Sequence, residues 1–126
     1  MKKSKEIRIP SDVVTFVFAF CGAGYRFPYD IPEIHNFFYK MYLNFNFLGI
    51  FDDFIFDESC MYKRCEVVYD ALDTLQLSYL IYPVGVDLRF FEVSKALAEC
   101  DPYKLFNEDE VCAIKEITKF FKWNFE

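Results

Sequence analysis

Apolar residues at positions Ile34, Phe37, Phe38, Met41, Tyr42 and Phe45 recur three and four apart, a spacing that gathers them on one side of a helix. Asp30 suits the cap of that helix, Glu33 can reach back to it, and Pro32 is tolerated in the first turn, so a helix is expected over 31–44. Residues 13–21 are apolar nearly all round. With Ser11 as N-cap, Asp12 at the positive end of the dipole and Gly22 as the stop, they predict a helix central to the core. Residues 24–29 read as a loop, and 47–57 as a second loop with one short strand, Phe54, Ile55 and Phe56.

A third helix is expected from about Tyr62 to Gln76, with Cys65, Val68, Ala71, Leu72 and Leu75 on one face. Residues 77–82 and 88–93 have strand composition, and the turn signal of Pro83, Gly85 and Asp87 between them predicts a hairpin. Ser94 opens a short helix over 95–99, ended by Asp101 and Pro102. Asn107 with Glu108, Asp109 and Glu110 opens the last helix, to about Lys122, with Val111, Ile114, Ile117, Thr118 and Phe121 inward and Lys115, Lys119 and Lys122 complementing its C-terminal end.

The chain has 126 residues, enough for one domain but not two, and residues 1–9 are expected to form a flexible basic tail. Its longest apolar run, 13–21, is too short to cross a bilayer, so no membrane partner is expected. Lys2, Lys3, Lys5 and Arg8 resemble the start of an export signal, but Glu6, Pro10, Ser11 and Asp12 interrupt it. A buried helix is the better reading of 13–21, with export the alternative. The five cysteines are odd in number and lack the close pairing of a disulfide or zinc framework, which fits a soluble protein of the reducing cytoplasm.

The segment 64–81, with Cys65, Val68, Ala71, Leu72 and Leu75 on one face before Leu77, Tyr79, Leu80 and Ile81, resembles the recognition helix and first wing strand of winged-helix domains. The order of three helices, a hairpin and flanking helices is similar to theirs. It is also similar to small bacterial domains related to Panacea-type antitoxins, although 57–62 lacks the Gly-Pro element those usually carry. The resemblance implies a mainly α (α+β), winged-helix-like helical domain with a small β-hairpin. It also implies a DNA-reading third helix, and here the charges disagree. That helix carries Glu66, Asp70 and Asp73 on a chain of formal net charge −6, and phosphates would repel it.

No common catalytic template fits. His35 is the only histidine and would need a positioned third partner; a partly exposed or hydrogen-bonded helix residue is the plainer reading. Cys60 and Cys65 lack zinc-ligand spacing, and Asp52, Asp53, Asp57 and Glu58 lack that of a calcium loop, so neither metal nor other cofactor is expected. Gly22 and Gly24 lack the lysine of a phosphate loop.

Aromatic residues make up 21% of the chain and crowd the 45–54 stretch. Phe45, Phe47, Phe51, Phe54, Tyr79 and Tyr82 are therefore candidate interface residues, with ordinary core packing an equal alternative. The expected role is a non-enzymatic protein–protein or self-association module. The alternative is a DNA-binding regulator using Lys2, Lys3, Lys5, Arg64 and Arg89, and an enzyme of unrecognised type comes third.

Overall fold

The stripe over 31–44 folds as expected into helix α2 (Ile31–Asn44) in the computed structural model, which describes residues 8–45 and 49–125. Asp30 caps α2 by accepting the Glu33 N–H at 3.2 Å, but its own amide is donated to the Pro28 carbonyl at 2.8 Å. The reciprocal bond from Glu33 is therefore not made, and its carboxylate stays exposed. Helix α1 (Asp12–Ala19) is central, with Val14, Val17 and Phe18 fully buried. Ser11 does not cap it, because its backbone is already helical and its side chain makes no capping bond; instead Asp12 Oδ2 accepts the Ile9 N–H at 2.8 Å. Arg8 pairs with Glu110 at 2.9 Å and lies 4.8 Å from the Phe106 ring centroid. Residues 8 and 9, expected in the tail, are thus docked.

The third helix, α3 (Glu66–Leu77), begins later than its periodicity suggests. Two neighbouring α2 side chains capture the preceding backbone: Asn36 Oδ1 accepts the Lys63 N–H at 2.9 Å, and His35 Nδ1 accepts the Cys65 N–H at 3.0 Å. This leaves 64–65 extended, so that β2 (Phe56–Asp57) and β3 (Arg64–Cys65) pair antiparallel. At its other end α3 closes with Tyr79 in the left-handed region (φ 58°), while Leu80 donates to the Leu75 carbonyl at 2.9 Å and Tyr79 to that of Gln76 at 3.1 Å. These are the two bonds of a Schellman cap, with tyrosine where glycine is usual. Residues 77–80 are consequently not strand.

The hairpin forms from β4 (Ile81–Val84) and β5 (Phe90–Val93). A strand that the loop reading of 24–29 missed, β1 (Arg26–Pro28), joins its far side and gives the order β1-β5-β4, all antiparallel. Just beyond the strand ends Ser94 donates its amide to Leu80, while Val93 donates to Tyr25, so successive residues along β5 bond alternately towards the β4 side and the β1 side. By that alternation Ile81 and Pro83 turn their backbone to the open edge of β4.

Ser94 Oγ caps the short α4 (Lys95–Ala98) through the Leu97 N–H at 3.0 Å. Asn107 and Glu110 form a complete capping box at the start of α5 (Glu108–Asn124). Replacing Asn107 with alanine is expected to cost about 1 kcal/mol in a urea melt, since an unmatched first-turn donor remains; an unchanged midpoint would show that the box contributes nothing. Helix α5 lies against α1, where the buried Thr118 hydroxyl donates to the Val17 carbonyl at 2.8 Å. The architecture is mainly helical with small antiparallel sheets, as the pattern implied.

Candidate interaction surface

Alternation along a strand decides which hairpin residues face outward. Phe27, Phe91, Ile81 and Val93 point into the core and are fully buried. Their neighbours form two rows on the opposite face, set by the strand register. One row is polar: Glu92 accepts from Arg26 Nε at 2.9 Å and from the Tyr82 hydroxyl at 2.7 Å. Both bonds hold the Glu92 carboxyl below its usual range, that from Tyr82 more strongly. The other row is apolar and consists of Pro28, Phe90 and Val84, which are register partners. Beyond it the turn exposes Val86 (84%) and Leu88 (58%).

Among the described residues Phe90, at 40% exposure, is the only phenylalanine left open to solvent. Its ring lies on Gly85, where a Cβ would meet Phe90 Cδ2 at 3.3 Å, and Gly85 has φ +89°. The turn then places two consecutive non-glycine residues, Asp87 (φ 60°) and Leu88 (φ 51°), in the left-handed region. Such positions cost roughly 1 kcal/mol or more each and persist only where the surroundings impose them. The surface is locally neutral: Arg26 sits beside Glu92, and Arg89 lies 3.7 Å from Asp87.

Several expected interface residues lie elsewhere. Phe51 and Phe54 are buried, not exposed: a tight turn folds them inward edge to face, ring centroids 4.8 Å apart, while Asp52 and Asp53 between them take the solvent. Phe45 is half-buried and leans on Phe120. Phe47 lies outside the described residues. Tyr79 is exposed (78%) because the helix cap throws it outward, whereas Tyr82 does lie on this face, in its polar row, half-buried with its hydroxyl engaged by Glu92. Phe90, Val86 and Leu88 were overlooked. The adjacent pair Phe90 and Phe91 was the available signal, because a strand cannot bury both on one side.

The residues weighed for catalysis and metal binding lie apart from this face. Of its two expected states His35 takes the hydrogen-bonded one, and it is buried because β3 and Tyr62 close over it. Its Nδ1 accepts a hydrogen bond, so the proton resides on Nε2, which has no hydrogen-bond acceptor. Burial, assisted by the Arg64 charge, lowers its pKa to about 4. The Cys60 thiol donates to Asp57 at 3.4 Å, which raises its pKa, the reverse of thiolate activation. Asp57 is itself held low, mainly by the Ser59 hydroxyl. No two of the five cysteines are joined, and among the described residues no three His, Cys, Asp or Glu side chains converge on a metal-sized space.

Of the residues considered for DNA, Lys2, Lys3 and Lys5 lie outside the described residues. Arg64 pairs with Glu66 at 3.0 Å and covers the Tyr69 ring, so its charge is spent on the helix that would have to read a groove. Glu66, Asp70 and Asp73 are all exposed on α3, whereas Arg89 extends into solvent on the hairpin. Among the described residues no helix is long and apolar enough to cross a membrane. Comparison with family models, with curated proteins and with solved structures finds no match.

Proposed function

We propose that this chain is a non-enzymatic association module, acting through the outer face of its three-stranded sheet and the tip of the hairpin, with a second copy of itself as partner. We read the scaffold as winged-helix-like and its setting as the cytoplasm, in keeping with the unpaired cysteines. The observation that carries the reading is the row of Pro28, Phe90 and Val84 running into exposed Val86 and Leu88. In a chain that buries most of its phenylalanines, this one is left out on a sheet face beside a strained turn. Contiguous exposed apolar surface of this kind typifies binding sites.

The choice of a second copy rests on charge. A molecule of net charge −6 repels its own kind except where its surface is locally balanced, and both ion pairs of this face are internal to it. A DNA-reading role ranks lower because the exposed carboxylates of α3 oppose phosphate.

Sedimentation equilibrium over a range of concentrations tests the proposal. The wild type is expected to form a reversible dimer, and Leu88→Asp to weaken it at least about tenfold by placing a charge in the apolar contact. Aspartate tolerates the left-handed backbone better than leucine, so this variant does not endanger the fold. A wild type that stays monomeric, or a dimer indifferent to Leu88→Asp, would overturn it.

A further inference from the structure

A cleft of about 440 Å³ lies between α2 and the 60–63 segment and shares no residue with the hairpin face. It follows directly from the two side chains that pull 63–65 out of helix. Asn36 and His35 fix that segment by its amides, so Tyr62 is held opposite Tyr39 with a space between α2 and the loop. The volume falls within the range of small-molecule sites, roughly 300–1,000 Å³.

Its lining has a definite chemistry. Tyr39 and Tyr62 supply half-buried aromatic surface, and each is already braced from behind. The Tyr39 ring meets Phe56 edge-on at 5.2 Å, and the Tyr62 ring meets His35 at the same centroid distance. Met61 adds a fully exposed thioether side chain, which favours contact with an aromatic ring. Along the α2 wall Glu33 and Lys40 stand seven residues, about 10 Å, apart. Neither charge is engaged within the described residues: the capping bond that would have occupied Glu33 goes to Pro28, and Lys40 has no carboxylate partner. Lys63, by contrast, is committed to Glu58 at 2.9 Å and sits over the Tyr39 ring.

We infer that this cleft is a binding site for a small planar aromatic acid, its ring among Tyr39, Tyr62 and Met61 and its carboxylate on Lys40. The Glu33 end then accepts a hydroxyl or amine proton at the far end of the ligand. Tyr62 supplies the aromatic face and Tyr39, already covered by Lys63, supplies apolar edge contact, while the open lysine supplies the charged hydrogen bond that fixes orientation. Such a bond contributes more than a neutral one.

The test is a titration of the full-length protein with 4-hydroxybenzoate, followed by amide chemical shifts. Saturable shifts are expected at Lys63, Tyr62 and the α2 residues between 33 and 43. Lys40→Glu, at an exposed position, is expected to weaken binding at least about tenfold, by loss of one charged hydrogen bond and by repulsion of the ligand carboxylate. The neutral 4-hydroxybenzamide and the non-aromatic cyclohexanecarboxylate are each expected to bind about tenfold more weakly than the acid. No saturable shift at the cleft overturns the inference, as does equal binding of either control or of the Lys40→Glu variant. The hairpin variant Leu88→Asp is expected to bind as the wild type does, which keeps the outcome separate from the association reading.

Discussion

Replacing Phe121 with alanine is expected to remove roughly 3–5 kcal/mol of stability. The residue is fully buried on α5, and its ring meets those of Phe18, Phe27 and Phe37 edge-on at 5.4, 5.1 and 5.1 Å. Those partners come from α1, β1 and α2, so one side chain ties the helical layer to the sheet. Alanine forfeits both the transfer energy of the ring and the contacts of the cavity left behind, and neighbours drawn from three elements cannot all collapse into it. Since domains of this size are stable by only about 5–15 kcal/mol, the variant sits near the unfolding threshold. Urea melts followed by circular dichroism give the comparison. The adjacent Phe120 is half-buried, and its alanine variant is expected to lose less than half as much. Equal losses at the two positions would mean that Phe121 is not the hub its contacts suggest.

The second large effect is a loss of stability between neutral pH and about pH 4 through His35 alone. Its pKa falls from an ordinary 6.5 to about 4 in the folded chain, chiefly by burial and secondarily by the Arg64 charge. In that window the unfolded chain binds the proton and the folded chain does not, so stability rises with pH. The contribution is complete above pH 6.5, is lost as pH falls towards 4, and amounts to roughly 3 kcal/mol in all. The structural reason is plain, because protonated Nδ1 can no longer accept the Cys65 amide and would face it donor to donor. Glu92 and Asp57, also held low, start from ordinary values of 4.5 and 3.8 and so act mostly below this range. As the chain has one histidine, the slope above about pH 5 belongs to it. Denaturant melts at several pH values should show that slope, and His35→Asn, which keeps an acceptor near Nδ1, should flatten it. A slope that survives the substitution would assign the acid sensitivity elsewhere.

Much of the helical framework was legible because its signals are local. The stripe from Ile34 to Phe45 and the cap at Asn107 specify α2 and α5 within a few residues of chain. What escaped was set at a distance. β1 is three residues long and acquires strand character only by pairing with Phe90, Phe91 and Glu92, far along the chain. The late start of α3 reflects two α2 side chains competing for amides that periodicity would have given to the helix. The candidate surface was half legible for the same reason. Composition marked the hairpin as aromatic, but only the register tells that Phe91 faces inward and Phe90 outward. In the Phe51–Phe54 turn, rings crowded into a loop left interface and core equally open from sequence, and the turn decides for the core, rings in and carboxylates out.

Pro83 has a bearing on how this protein behaves in a crowded solution. A short sheet in an aromatic-rich chain invites growth, because every free amide along an edge can recruit a strand from another molecule. On β4 the residues facing that edge are Ile81 and Pro83, and proline has no amide to offer. An incoming strand would find a gap in the ladder and a ring in its path. Fibrous polymerisation through this edge is thereby discouraged.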